Sequence, residues 1–169
     1  MRNSKPILRR VAYGMIGGMA GTMVLEQIPS VMYRFEKPEK RQQQEAIRKE
    51  SPYDTMARRL ANVLHVRLGD EDVMIFGQVL HWGCGIAWGA IYGLVRARIP
   101  ALRRAAGLPF GLAFALIGDE AMNAALKLTP PPQAYPIDAH LRGFAAHVAY
   151  AAAAEGVIQT LEWLGGEAA

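Results

Sequence analysis

The sequence predicts an all-α polytopic membrane protein: four transmembrane helices in a bundle, with an amphipathic interfacial helix in the first loop. Three observations carry this expectation. Four stretches, 11–28, 73–95, 107–128 and 139–164, are apolar over about the 20 residues a helix needs to cross ~30 Å of hydrocarbon. Arginine and lysine crowd between them, at the N-terminus, in 33–72 and in 96–104. Glycine recurs within them, as Gly83, Gly85, Gly89 and Gly93 do in the second. Such glycines penalise a soluble helix more than a membrane one, which disfavours a soluble bundle with long buried helices. The chain is read as one membrane domain, 1–169.

The first span is the shortest. Ile28, Val31, Met32 and Tyr33 extend it to about 9–33, with Pro29 as a kink rather than a stop. Arg2, Lys5, Arg9 and Arg10 before it would also suit a signal peptide, but Leu25-Glu26-Gln27-Ile28-Pro29 offers no small-residue cleavage site, so an uncleaved span is favoured. The loop 34–72 follows. Its segment 39–50 is polar all round with opposite charges at helical spacing, which suits a solvated helix or a disordered stretch. Ser51-Pro52-Tyr53-Asp54 is a helix start, with Ser51 as cap and Pro52 at the first position. Met56, Leu60, Val63, Leu64 and Leu68 then recur on one face, opposite Arg58, Arg59 and Arg67, as in a helix lying on a membrane surface or capping the bundle. His65 reads as a surface histidine. The remaining spans are expected at about 73–95, 107–128 and 139–164.

Orientation follows from short basic segments. The N-terminal cluster and Arg96, Arg98, Arg103 and Arg104 must share a side, and positive charge assigns it to the cytoplasm. The loop 129–136 is uncharged and suits the far side, so both termini are expected to be cytoplasmic. The mixed charge of 34–72 weighs mildly against this orientation. A net charge of +4 suits basic loops facing anionic lipid. No basic–aromatic motif of a nucleic-acid module is present, so nucleic acid is not an expected partner; the lipid bilayer is. Cys84 is the single cysteine, which excludes an intramolecular disulfide.

Small residues indicate close helix packing. Gly14/Gly18, Gly17/Gly21 and Gly85/Gly89/Gly93 follow small-xxx-small spacing, and the fourth span is alanine-rich. The same faces would serve a homodimer or docking on a larger membrane complex.

Each span nevertheless carries ionisable residues, which cost a few kcal/mol each in a bilayer and are normally turned inward and paired. At ~1.5 Å per residue, His81 and His147 lie roughly 12 Å from the outer ends of their spans, Glu120 roughly 12 Å and Glu26 roughly 10 Å. Glu26, His81, Glu120 and His147 are therefore the expected site, one layer near the outer face. Glu120 is chosen over Asp119 because Asn123 and Lys127 share its helical stripe. Asp119, Asn123 and Glu155 are further candidates, Glu155 two turns away from the layer. Individually, such groups could each serve only a helix–helix hydrogen bond.

Histidine with carboxylate suits proton handling or a divalent transition metal such as Zn, Mn or Fe. No Glu-x-x-His repeat of the di-iron type is present. Haem between His81 and His147 is disfavoured by the surrounding carboxylates. Met15, Met19 and Met23 form a stripe that could select Cu(I), although methionine stripes more often pack. No nucleophile–base arrangement, phosphate loop or dinucleotide fingerprint occurs, so no enzymatic activity is expected.

His81-Trp82-Gly83, the run Trp88-Gly89-Ala90-Ile91-Tyr92-Gly93-Leu94-Val95, and Gly107-Leu108-Pro109-Phe110-Gly111-Leu112-Ala113-Phe114 carry a resemblance. With the pair Asp119-Glu120, the proline-rich 129–136 loop and His147, they resemble the YagU-like family of small bacterial inner-membrane proteins, over about 73–160. That resemblance implies an inner-membrane location, no assigned biochemical activity and a loose association with acid tolerance. The resulting expectation is an inner-membrane protein with a buried His/carboxylate cluster, responsive to protons or a divalent metal, in envelope homeostasis or small-solute transport. The alternative is a structural or assembly subunit whose polar residues only bond its helices together.

Overall fold

A computed structural model describes residues 5–166; Arg2 of the basic N-terminal cluster lies outside them. Among the described residues the chain is helical and contains no strand. The long helices are α1 (Lys5–Tyr33), α4 (Asp70–Arg96) and α8 (Ile137–Leu164). Between α1 and α4 come α2 (Pro38–Ile47) and α3 (Pro52–Val63). The short α5 (Pro100–Arg104) leads to α6 (Leu108–Phe114), a π-helical segment (Ala115–Ala121) and α7 (Met122–Ala125). A 3₁₀ turn, Pro132–Ala134, precedes α8.

Among the described helices, α4 alone is long and apolar enough to cross a membrane. The four equivalent spans expected from sequence are thus not reproduced by length and apolarity. The causes are local. Glu26 and Gln27 dilute α1, the third stretch is divided by its π segment, and α8 carries Asp138, His140, Arg142, His147 and Glu155 among its alanines.

Helix α1 runs through Pro29 and packs antiparallel to both α4 and α8. A Cβ on Gly17 would stand 2.9 Å from Ala154 O, and one on Gly21 2.6 Å from Tyr150 Cδ2. Such approach is possible only because these residues lack side chains. The α6 segment closes the bundle against α8, where Gly111 faces the backbone of His147 and Val148. Between the helices lies an aromatic core of Tyr92, Phe110, Phe114 and Tyr150, with Trp88 stacked on Phe114 at 4.5 Å.

The radial distribution of polarity is inverted relative to a water-soluble bundle. Arg96, Arg142, His147 and Glu155 are buried. Large apolar side chains point outward instead: Ile16, Met19 and Met23 on α1, Ile75 and Val79 on α4, Leu112 and Leu116 in the third stretch, and Leu141 on α8.

Helix α3 begins as expected, the Asp54 amide donating to Ser51 Oγ at 3.0 Å. Its inward face, however, is made of small residues. Pro52, Ala57 and Ala61 are buried, and Gly77 of α4 admits Asp54 against its backbone. The stripe anticipated as the apolar face points outward, with Val63 73% and Leu64 67% exposed. The Arg59 guanidinium donates to the carbonyls of Leu126 and Lys127, both at 2.5 Å. It thereby satisfies acceptors that the end of α7 leaves without intrahelical partners. Helix α2 is ordered, and its Gln44 is buried against α8.

Candidate functional site

A cavity of about 690 Å³ opens between α1, α3, α4, the π segment and α8 at the end of the bundle where the α1–α4 connection crosses. Glu26, His81 and His147, three members of the expected layer, line it. Glu26 comes from the last third of α1, where Oε1 stands 3.3 Å from His81 Nδ1 and accepts from Gln78 Nε2 at 2.6 Å. Gln78 and His81 are three residues apart, so one face of α4 presents both. The His81 ring lies 4.8 Å from that of Tyr53, which α3 carries into the cavity. Burial pushes the Tyr53 phenol above its ordinary value, and Cys84 and Asp119 push it the same way, so Tyr53 serves as a hydrogen-bond donor at neutral pH.

His147 holds its ring by an Nδ1 contact to Gly143 O at 2.8 Å and an edge contact to Phe114 at 4.5 Å. That N–H···O=C geometry leaves Nε2 as the ring's acceptor. Tyr135 also lines the cavity, and its hydroxyl is buried with no hydrogen-bond partner among the described residues. Burial raises the Tyr135 phenol as well.

The acidic pair is arranged differently from the expected one. Asp119 lines the cavity, accepts from Asn123 Nδ2 at 3.0 Å and faces Gly143, whose Cβ would stand 3.2 Å from Asp119 Oδ2. Glu120 instead pairs with His140 Nδ1 at 2.5 Å, and the other ring nitrogen meets Pro132 O at 3.1 Å. The cause is the π segment. An α-helical projection places Glu120 inward, but a π turn takes an extra residue and shifts the face on which each later side chain falls. His140 was not singled out from sequence, although its seven-residue spacing from His147 puts both on one side of α8.

Other expected groups lie elsewhere. Glu155, 1% exposed, accepts from Arg96 Nε and Nη2 at 2.7 Å each, from Gln159 Nε2 at 2.8 Å and from the Tyr92 hydroxyl. This network is at the opposite end of the bundle from Glu26. Met15, Met19 and Met23 are 42%, 45% and 59% exposed on the outer face of α1, away from the cavity. Among the described residues no three His, Cys, Asp or Glu side chains converge to hold a metal ion. The divalent-metal version of the site therefore has no ligand set in this arrangement, and depth alone did not reveal that.

Arg142 was also missed. Its guanidinium is buried, donates to Glu36 Oε2 at 2.7 Å and to Gln44, and lies 4.2 Å above the Tyr33 ring. It fastens the end of α1 and helix α2 to α8, forming one wall of the cavity. Arg142 is the single arginine of α8 and falls inside the expected fourth span, which was the available signal.

No curated protein and no solved structure matches the chain at a significant level. Residues 41–156 match the family described as "Protein of unknown function (DUF1440)". That match spans from α2 through most of α8 and so includes His81, Asp119, His140 and His147, but it does not establish the narrower YagU-like affiliation. Because it covers more than half of the sequence, the chain belongs to the DUF1440 family.

Proposed function

We propose that the protein is an integral membrane protein of the bacterial inner membrane, spanning it with 9–33, 73–95, 107–128 and 139–164, both termini cytoplasmic. The cavity at its outer end takes up and releases protons or a small polar solute. The Glu26–His81 pair is the observation that carries the site, since it lies in one cavity with Asp119 and His147. The inverted polarity supports the membrane setting: exposed Ile, Leu, Val and Met suit lipid, and the small and polar interior supplies the close contacts that hold helices together there. The groups facing His81 from each packed element are Glu26 on α1, Tyr53 on α3, Asp119 in the π segment and His147 on α8. The unpartnered Tyr135 hydroxyl supports a polar occupant, because buried polar groups are normally hydrogen-bonded.

The chain contains four histidines, which makes a titration of all of them practical. In protein reconstituted in lipid nanodiscs and labelled on histidine nitrogen, Glu26→Gln is expected to move the His81 titration midpoint. A His81 ring that does not titrate between pH 4 and 9 in either protein would remove the proton reading. Cysteine introduced at exposed Gln42 tests the topology, since it must react with an impermeant reagent from the outer side.

One observation favours the second reading, that of a structural subunit. The Glu155 and Arg96 groups are fully used in bonding α4 to α8, as polar residues serving only assembly would be.

A further inference from the structure

The loop between α7 and α8, residues 129–136, has few means of holding itself in place. Four of its eight residues are proline, at 130, 131, 132 and 136, and contribute no backbone N–H. Its backbone bonds are local: the Ala134 amide donates to Pro131 O and the Tyr135 amide to Pro132 O. Among the described residues, one side chain hydrogen-bonds to it. His140 of α8 meets Pro132 O through Nε2 at 3.1 Å and Glu120 of the π segment through Nδ1 at 2.5 Å. The ring therefore ties the loop to two other elements. The loop matters to the large cavity because it carries Tyr135 into the cavity wall.

The proton count decides whether both contacts can exist together. A backbone carbonyl only accepts, as does an ionised carboxylate, and a neutral imidazole has a single N–H. With Glu120 ionised and His140 neutral, the ring serves one oxygen and turns a lone pair toward the other. One further proton resolves this. On the ring it makes both nitrogens donors. On Glu120 it lets the carboxyl O–H donate to Nδ1 while Nε2–H serves Pro132 O. Either placement satisfies both contacts, so the observed geometry requires the proton. The Glu120 and His140 side chains are only 24% and 20% exposed, which limits how far water can replace a lost bond. The groups facing His140 are Glu120 from the π segment and Tyr135 from the loop, its ring edge-on at 6.4 Å. On the first turn of α8, Asp138 is taken up by Lys40 of α2.

We propose that His140 and Glu120 form a proton-dependent latch on the 129–136 loop. With the shared proton in place, the loop and Tyr135 are held on the cavity; its loss frees the loop and opens the cavity on that side. The latch closes in acid and releases in base. As a control on uptake it rests on reading the Glu26–His81 cavity as a binding site, whereas the latch itself does not.

A nitroxide spin label on Gln133→Cys, an exposed position, reports loop mobility in the full chain carrying Cys84→Ser, in lipid nanodiscs between pH 5 and 10. The mobile fraction of this parent protein is expected to rise at least threefold through one transition. Glu120→Gln supplies a permanent N–H to Nδ1 and leaves Nε2–H for Pro132 O, so its loop should stay at the acid level across the range. His140→Phe removes both bonds and should be mobile throughout; the Glu120→Gln comparison stands even where His140→Phe does not fold. Mobility that does not change with pH in the parent, or that changes identically in Glu120→Gln, overturns the proposal. A label as immobile in His140→Phe as in the parent at pH 5 also overturns it, because the loop is then held by something else. The His81 titration is read on separate samples. Its loss with the loop transition intact removes the proton reading of the cavity and leaves the latch standing.

Discussion

Gly18 of α1 and Gly89 of α4 meet backbone to backbone: a Cβ on Gly18 would stand 3.0 Å from Gly89 Cα, and one on Gly89 2.8 Å from Gly18 N. No side chain can yield at this contact, so an added methyl must push the helices apart. Gly89→Ala is expected to cost about 1–3 kcal/mol, the usual range for overpacking, read as a lower melting temperature in detergent. Gly83 on the same helix has nothing within 4 Å of an added Cβ, and Gly83→Ala should leave the melting temperature unchanged or raise it. Equal losses at both positions would contradict the α1–α4 contact.

The Arg96–Glu155 pair predicts unequal costs for its two halves. Arg96 has a second carboxylate in Glu162, at 2.7 Å, whereas the other partners of Glu155 are the neutral Tyr92 and Gln159. Arg96→Met leaves a buried carboxylate without a cation and should cost ~3–5 kcal/mol, as removal of one partner of a buried ion pair does. Glu155→Gln keeps a polar group of the same shape and leaves Arg96 paired, so its cost should be clearly smaller. Chemical denaturation of both variants checks the order.

Arg59 predicts a local rather than global effect. It reaches from α3 to the carbonyls of Leu126 and Lys127, so Arg59→Ala should loosen the end of the third stretch by about 1 kcal/mol. Hydrogen–deuterium exchange over 122–128 should become several-fold faster while α1 and α8 exchange unchanged. Uniform acceleration along the chain would mean that Arg59 acts on the fold as a whole.

The Lys40–Asp138 pair joins α2 to the start of α8 at the surface. The hydrogen bond and charge of Asp138 raise the Lys40 pKa above its ordinary 10.5. Because the folded value is the higher one, any stabilisation is complete below 10.5 and disappears as pH rises through the raised value. Exposure to solvent screens it strongly. Lys40→Ala should therefore leave the melting temperature unaltered between pH 6 and 9, with a measurable difference in this range ruling out the screened pair.

The sequence exposes the helical stretches because burial in lipid or protein leaves a long apolar signal, and the Ser51 cap because its chemistry is local. What it hides depends on neighbours distant in sequence. The inward face of α3 could not be read from hydropathy, since Ala57 and Ala61 matter there for being small rather than apolar. Likewise, nothing adjacent to Arg142 announces Glu36 and Gln44 as its partners. For the site, the depth of each ionisable group was accessible from counting residues, and it brings Glu26, His81 and His147 to one cavity. Which of Asp119 and Glu120 joins them depends on helical phase, and phase was calculated for a regular helix.

The π segment Ala115–Ala121 has a consequence for how this chain can change over evolutionary time. A π turn is, in effect, one residue accommodated within an α-helix. Losing a single codon there would relax the segment to plain α-helix and re-index the side chains that follow it on the same helix, through α7. The same carboxylates would remain in the gene, yet a different one would line the cavity. In this segment, insertions and deletions alter the chemistry of the interior as effectively as substitutions do.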